Sequence, residues 1–254
     1  MHRYLLSFCL MGALMGSVNS AAAQDATVLS AGAVEPGLLA AIALYQRESG
    51  KKVSVTFNTA PQIRERVEKK GDKFDVVIVP PAVMDAFAEA GRVEAERVTL
   101  GRVGQGIAVR PGAPVPDISS VEALKRAMLE AESVVFNRAT GGQYIESMLR
   151  KIGVYDQIES KATRYASAAQ VMDHLLKGKG REVGFAPMTE IMLYKDKGLR
   201  FVGPLPPEVQ QHNTYVASPM RGAANAQAAA ALVRFLGTAP AKAALNAGGV
   251  EWHS

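Results

Sequence analysis

The fold of this chain is decided by residues 27–36, which read TVLSAGAVEP. The stretch begins with an apolar run that predicts a short buried strand, and small residues then form a turn. Pro36 suits the first turn of a helix, where a backbone N–H is not needed. Apolar residues recur on one helical face through 38–45, and Gly50 ends that pattern.

The same strand–turn–helix unit recurs twice directly afterwards. Residues 53–57 alternate like a strand, residues 58–61 form a turn, and a charged amphipathic helix follows. Residues 76–79 are a continuous β-branched run, as in a strand that is buried on both faces. Three such units in a row predict a parallel sheet covered by helices, with right-handed crossovers. The second half repeats the pattern, with strands predicted near 106–110, 134–136, 182–186 and 199–202.

Composition excludes two classes of protein. The chain has 254 residues, of which 48% are hydrophobic and 21% are charged, so it is not a disordered chain. A single terminal apolar segment approaches spanning length, which excludes a multi-pass membrane protein. The net charge of +5 leaves both nucleic-acid binding and capture of a small anion open. Because acids and bases interleave through residues 64–70, a solvated helix face is the better interpretation, and no nucleic-acid partner is expected.

Residues 1–23 are predicted to be a secretory signal peptide. A basic start at Arg3 precedes an apolar run over 5–18, and three alanines end at Ala23, where cleavage is expected. The mature protein would then be periplasmic, with no stable membrane insertion after cleavage. Cys9, the single cysteine, would leave with this segment. Disulfides and thiolate chemistry are therefore not expected.

Motifs for catalysis are sparse. His174, His212 and His253 are far apart and do not have a metal-ligand spacing. Neither a G-x-S-x-G elbow nor a phosphate-binding loop with the G-x-x-x-x-G-K-[ST] pattern is present. We therefore expect no catalytic residue, no metal and no cofactor.

Three of the predicted strands end in small or polar turns that open helices. Helix N-termini offer free N–H groups and partial positive charge, and open α/β sheets place ligands at these strand ends. Each turn alone is typical of an ordinary helix cap, but three together favour a ligand-binding cleft. The candidate ligand-binding residues in these turns are Ser30, Gly32, Ala33, Asn58, Thr59, Ala60, Thr140, Gly141 and Gly142.

Taken together, these segments resemble those of a known family. The chain is similar to the periplasmic solute-binding proteins of ABC transporters, in the molybdate-binding-like branch with the type 2 periplasmic binding protein fold. The order and spacing of the matching segments carry the resemblance more than any one segment does. These segments are residues 28–33, 74–78, 140–144, 182–185, 229–236 and 248–251.

The resemblance implies an α/β protein of two Rossmann-like lobes with a central cleft and two hinge crossings. We expect the crossings near residues 104–109 and 213–217. Lobe 1 would comprise residues 24–105 and 214–254, and lobe 2 residues 106–213. A small anionic ligand would close the lobes around itself, and a membrane permease would recognise the closed form. The protein would act as a monomer.

The ligand contacts of molybdate binders fall on altered residues here. The resemblance aligns them with Ala33, residues 59–61, Gly141 and Pro187, so two side-chain hydroxyls are missing or moved. A lost donor in a dry anion site costs about 1–3 kcal/mol. The ligand therefore stays open between a molybdate-like oxyanion and a small organic acid.

Two further possibilities remain. An organic carboxylate could be clamped by Arg64, Arg102 or Arg138, although a solvated surface charge is the simpler interpretation of each. The alternative function is a secreted hydrolase-type enzyme on a similar α/β scaffold. That alternative predicts a nucleophile with a base within hydrogen-bond reach.

Overall fold

The computed structural model describes residues 26–69 and 73–252. The predicted signal peptide, Cys9 and His253 lie outside these residues, so the expected cleavage stays a prediction. Strands and helices alternate along the described chain, as the sequence predicts. The strands are β1 (Ala26–Ala31), β2 (Val53–Asn58), β3 (Val76–Val79), β4 (Val98–Val109), β5 (Ser133–Asn137), β6 (Ala162–Tyr165), β7 (Glu182–Pro187), β8 (Arg200–Pro204) and β9 (His212–Pro219).

Helices follow most of these strands. They are α1 (Glu35–Ser49), α2 (Ala60–Glu68), α3 (Pro81–Glu89), α4 (Val121–Glu130), α5 (Thr140–Lys151), α6 (Tyr155–Ile158), α7 (Ala168–Lys177), α8 (Met188–Met192), α9 (Ala226–Leu236) and α10 (Ala239–Ala247). A 3-10 turn, Gly32–Val34, precedes α1. Within the described ranges no single helix is long and apolar enough to span a membrane. The pair α9 and α10 passes that test only together, with a bend of 71° between them.

The predicted parallel sheet forms at the start of the chain. Strand β1 pairs in parallel with β2 on one side and with β3 on the other. All four residues of β3 are fully buried, which explains its unbroken β-branched sequence. The antiparallel strands β9 and β4 then extend the sheet beyond β3.

Strand β4 carries the sheet from one half of the molecule to the other. Up to Gly104 it pairs with β9, and from Gln105 onward it pairs with β7 and β8. Strand β5 lies in parallel between β7 and β6. The change of partner at Gly104 and Gln105 marks one passage between the halves. The second lies just before His212, because β9 pairs only with strands of the first half.

Two hydrophobic cores divide the chain. The first draws on residues 26–103 and 215–250, and we call the part packed around it lobe 1. The second draws on residues 107–209 and defines lobe 2, with a smaller cluster on the other face of its sheet. The predicted α/β class with two lobes is confirmed. The boundaries expected for the lobes stay a prediction. The residue ranges of the two cores end close to those boundaries.

Candidate functional site

A cavity of about 310 Å³ lies between the two lobes. It opens where β1, β2 and β3 of lobe 1 and β5 and β7 of lobe 2 reach their carboxyl ends. This is the edge of an α/β sheet where ligands bind. Its lining is Ala31, Gly32, Ala33, Glu35, Phe57, Asn58, Thr59, Ala60, Gln62, Pro80, Asn137, Ala139, Thr140, Gly141, Ser167, Ala168, Ala169, Pro187, Glu190 and Tyr215.

Most residues predicted from the sequence meet in this cavity. Eight of them line it: Gly32, Ala33, Asn58, Thr59, Ala60, Thr140, Gly141 and Pro187. Ser30 does not, because it is fully buried in β1 and its Oγ donates to the carbonyl of Ala31 at 3.1 Å. Gly142 does not line it either, and packs against the backbone of Asn137. A role of any of these residues in ligand contact stays a prediction.

The three candidate arginines lie elsewhere. Arg64 borders a neighbouring groove together with Glu65 and Glu68. Arg102 approaches Glu251 at 3.6 Å, and Arg138 is not part of the cavity wall. In the described part of the chain, no lysine or arginine lines the cavity. An anion bound there would therefore meet neutral donors.

At the start of α2, most of the backbone N–H groups are already hydrogen-bonded within the turn or are absent. The Thr59 side chain accepts from the backbone of Gln62, and the Gln62 side chain accepts from the Thr59 N–H at 2.9 Å, which forms a capping box. Pro61 has no N–H. Of this first turn, the N–H of Ala60 remains for a ligand.

The start of α5 is open by contrast. Its N-cap, Ala139, provides no side-chain cap, and the first helical bond runs from Gln143 N to Ala139 O at 2.9 Å. The N–H groups of Thr140, Gly141 and Gly142 therefore have no acceptor within the helix. These N–H groups lie at the positive end of a twelve-residue helix, an arrangement that favours anions in general.

Two glycines make this open turn possible. A Cβ at Gly142 would collide with the carbonyl oxygen of Asn137. A Cβ at Gly141 would lie 2.8 Å from Nε2 of Gln105, behind the cavity wall. Gln105 is 1% exposed, and neither polar atom of its side chain has a hydrogen-bond partner among the described residues. An unpaired buried amide is costly, so its position behind the open turn indicates a polar site.

Asn137 is a second buried amide at this turn. It is 4% exposed, lines the cavity, and accepts the N–H of Ala139 on Oδ1 at 2.9 Å. Its own N–H groups are left for a ligand. Neither amide is among the residues predicted from the sequence: Asn137 is the last residue of β5, and Gln105 lies within β4.

The remaining helix starts at the cavity differ between the lobes. In lobe 2, the Ser167 side chain caps α7 by accepting from Gln170 N at 3.4 Å. In lobe 1, the 3-10 turn that begins at Gly32 has no side-chain cap. The starts of α3 in lobe 1 and α8 in lobe 2, whose N-caps are prolines in the cavity wall, also lack a side-chain cap. Each lobe therefore brings more than one uncapped turn to the cavity.

Two carboxyl groups line the cavity, and neither is among the residues predicted from the sequence. Glu190 lies on α8, and its carboxyl atoms are 3.5–3.6 Å from the place that a Cβ would occupy at Gly32 of lobe 1. Glu35 lies at the start of α1. Burial, and then the charge of Glu35, raise the pKa of Glu190 to about 7. Burial also raises the pKa of Glu35. At neutral pH, Glu190 is therefore protonated in a large fraction of the molecules.

Side chains of α8 and β9 complete the wall. Thr189 Oγ1 donates to the carbonyl of Ala33 at 2.6 Å, which fastens α8 to lobe 1. Burial, and then Glu190, raise the pKa of Tyr215, so its phenol stays neutral and able to donate.

The hydrolase alternative finds little support in this cavity. It predicts a nucleophile with a base in reach, yet among the described residues no hydroxyl of the cavity wall is hydrogen-bonded to a histidine or a carboxyl group, and the hydroxyls of Thr59 and Ser167 pair with Gln62 and Gln170. His174 instead lies 3.0 Å from the Tyr165 hydroxyl, outside the cavity. The described residues also contain no cluster of three acidic, histidine or cysteine side chains that could hold a metal ion.

Two α/β lobes, crossing strands between them and uncapped helix starts around a shared cavity define a two-lobed solute-binding protein. The chain belongs to the family of bacterial extracellular solute-binding proteins, whose model matches residues 26–251. The resemblance to ABC-transporter solute-binding proteins of the molybdate-binding-like type is thereby confirmed. Its family and its structural neighbours are transport-associated binding proteins.

Known proteins resemble the chain in fold and in sequence. The periplasmic molybdate-binding protein of Azotobacter vinelandii matches with a TM-score of 0.75 and 13% identity, over 90% of this chain and 100% of the other. A sulfate-binding protein of Mycobacterium tuberculosis matches with a TM-score of 0.72 and 16% identity, over 89% and 85%. These two confirm the type 2 fold. An aconitate isomerase of a Pseudomonas species is 26% identical over 97% of this chain and 96% of its own length.

Proposed function

We propose that the protein captures a small organic acid between its lobes in the periplasm and delivers it to an ABC permease. The observation that carries this proposal is the open start of α5, whose residues Thr140 and Gly141 line a cavity that has no cation in its described wall. Neutral dipoles of this kind hold an anion in place without trapping it by a fixed countercharge.

The acidic side chains favour an organic acid over molybdate or sulfate. Glu35 and Glu190 stand in the same cavity, and in their ionised form they would repel a compact dianion. A carboxylic acid spreads its charge along a carbon skeleton, and its apolar part fits the wall of Phe57, Pro80 and Ala168. The relative named for aconitate supports the same class of ligand.

A thermal-shift screen of the protein carrying residues 24–254 tests this proposal. The probes are sulfate, molybdate, acetate, succinate, citrate and cis-aconitate. A di- or tricarboxylate is expected to raise the melting temperature, with a shift that grows with the logarithm of its concentration over Kd, because it binds only the folded state. A response to sulfate or molybdate alone would contradict the choice of an organic acid. No response to any probe would contradict the anion site itself.

Isomerisation by proton transfer is a second candidate function. Glu190, a cavity carboxyl that is partly protonated at neutral pH, favours it, as does the relative named as an isomerase. In such a reaction a base takes a proton from the carbon next to a double bond, the double bond shifts, and a proton returns at its far end. Proton NMR of cis-aconitate with the protein would reveal the trans isomer. Binding without conversion would refute this candidate and leave the first intact.

A further inference from the structure

The charges of the cavity do not balance around an anion. Its described wall contains two carboxyl groups, Glu35 and Glu190, and no lysine or arginine. Neither carboxyl has a hydrogen-bond or ion-pair partner among the described residues. An organic acid entering this cavity would add one or more negative charges to a partly buried site, where like charges are poorly screened.

Glu190 lines the cavity at the contact between the two lobes. It belongs to lobe 2, yet its carboxyl atoms lie 3.5–3.6 Å from the Cβ position of Gly32 in lobe 1. The hydrogen bond from its neighbour Thr189 to Ala33 fixes α8 against lobe 1. The carboxyl therefore stands at the contact between the lobes, beside the uncapped turn of lobe 1.

Glu35 is the charged group that acts on Glu190. Helix α8 packs against α1, α7, β4, β7, β8 and the 3-10 turn before α1. Glu35, from α1, is the charged group on these elements that shares the cavity, and Tyr215 of β9 is the titratable phenol there. The other charged or titratable groups on the packed elements lie outside the cavity wall: Tyr45, Arg47, Glu48, Arg102, Asp173, His174, Lys177, Glu182 and Arg200.

We propose that the site takes up its organic acid together with one proton, which Glu190 holds and donates as O–H to a carboxylate of the ligand. This inference rests on the proposed function. The proton comes from the solvent and returns to it on release, and no bond to carbon changes. A neutral carboxyl removes one repelling charge and supplies one charge-assisted hydrogen bond.

The titration of Glu190 in the free protein supports this coupling. Its pKa of about 7 means that the ligand-free site is largely unprotonated at pH 8, and an arriving anion raises that pKa further. Binding at pH 8 must therefore draw a proton from solution, whereas at pH 5 the proton is already present. A tetrahedral dianion that is fully ionised would profit from the same proton, but it cannot also fill the apolar part of the wall.

Isothermal titration calorimetry in buffers of different ionisation enthalpy tests the inference directly. The probe is citrate, or succinate where citrate does not bind. We expect an uptake of about one proton per ligand at pH 8. At pH 5, once the protons that the free acid itself carries are subtracted, almost none is expected. The affinity should fall by about tenfold for each pH unit above pH 7.

Three variants assign the proton to a residue. Glu190→Gln should abolish the uptake and flatten the pH dependence, and it should keep the pH 6 affinity within about tenfold, because an amide N–H replaces the O–H donor. Glu35→Gln should keep the uptake and move the loss of affinity to lower pH, because it removes a neighbouring negative charge. The control is Glu89→Gln, an exposed glutamate on α3, which should behave like the unchanged protein.

The outcomes separate this inference from the proposed function. Binding of either acid without proton uptake, or uptake that persists in Glu190→Gln, refutes the proton-coupled site and leaves organic-acid capture standing. No binding of either acid at any pH refutes the proposed function and the coupling together. Should Glu190→Gln fail to fold, the proton count of the unchanged protein and the shift in Glu35→Gln still decide.

Discussion

Helices α2 and α5 begin on opposite walls of the cavity, each beside a threonine, and they treat their first backbone N–H groups in opposite ways. In α2 the side chains of Thr59 and Gln62 close the turn, and Pro61 removes one further donor. In α5 the N-cap is Ala139, and two glycines follow Thr140 without any side-chain cap. Both turns have a small, polar sequence, yet only the one in lobe 2 leaves three donors free.

The difference shows that a hydroxyl at a helix start competes with a ligand as readily as it serves one. The side-chain oxygen of a threonine at the N-cap accepts a hydrogen bond from the N–H of the third helical residue, so neither group is left for a ligand. Glycines at the second and third helical positions have no side chain that could pair with the backbone N–H groups. An anion-binding turn is therefore better recognised by glycines and by the lack of a capping residue than by serine or threonine.

Gly142→Ala is expected to have the largest effect on the difference between the two helix starts, because it destroys the open turn of α5. The added Cβ meets the carbonyl oxygen of Asn137, a backbone atom that cannot move without moving β5. We expect a loss of about 3 kcal/mol or more in the free energy of unfolding, seen as a melting temperature lower by about 6–12 °C. The control is Gly32→Ala, whose Cβ would find its nearest neighbours at 3.5 Å, an ordinary contact. An unchanged melting temperature in Gly142→Ala would contradict the tight turn.

Glu190→Gln tests the contribution of the cavity's carboxyl group to stability separately from that of the helix starts. In the unfolded chain the pKa of Glu190 is 4.5, and in the folded protein it is about 7. Below pH 4.5 both states hold the proton, so Glu190 costs nothing. Between the two values only the folded state holds it, so stability falls as the pH rises, and above pH 7 the cost is complete.

The expected size of this effect is about 2 kcal/mol, which is less than the pKa difference alone implies, because part of the side chain faces solvent. Urea unfolding should show Glu190→Gln as stable as the unchanged protein near pH 4 and more stable at pH 8. Glu89→Gln, an exposed control on α3, should show no such trend. An equal difference at both pH values would mean that Glu190 does not titrate as described.

Thr140→Pro would make the start of α5 resemble that of α2. Proline is well tolerated at the first helical position, and Ala139 before it already has an extended backbone with ψ 177. The substitution removes one N–H from the open turn, and we expect about tenfold weaker binding of the organic acid, or about 1.4 kcal/mol. Thr140→Ala is the matched control, because it keeps the N–H and loses only the hydroxyl. Equal affinities of the two variants in calorimetry would show that this N–H does not contact the ligand.

The sequence predicts the fold more completely than the site. Buried strands such as β3 and the glycines and prolines between elements are local signals, so the order of strands and helices follows from them. The cavity is assembled from strand ends that are distant in sequence, and turn composition still finds Gly32, Thr59 and Gly141. Glu190 and Gln105 could not be found in this way, because only the packing of lobe 2 against lobe 1 places them at the cavity.

Thr59→Ala has the smallest expected effect, and it tests directly whether the threonine at the start of α2 caps the helix or binds the ligand. It removes the capping oxygen of α2 and leaves the Ala60 N–H in place, so the cost falls on stability and not on binding. We expect the free energy of unfolding to fall by about 1 kcal/mol, a shift of about 2–4 °C in melting temperature, with the affinity for the organic acid within about twofold. Thr238→Ala, which removes the N-cap of α10 far from the cavity, is the matched control for a lost cap. A loss of affinity in Thr59→Ala alone would show that the threonine of lobe 1 binds the ligand directly, and the two helix starts would then be alike in function.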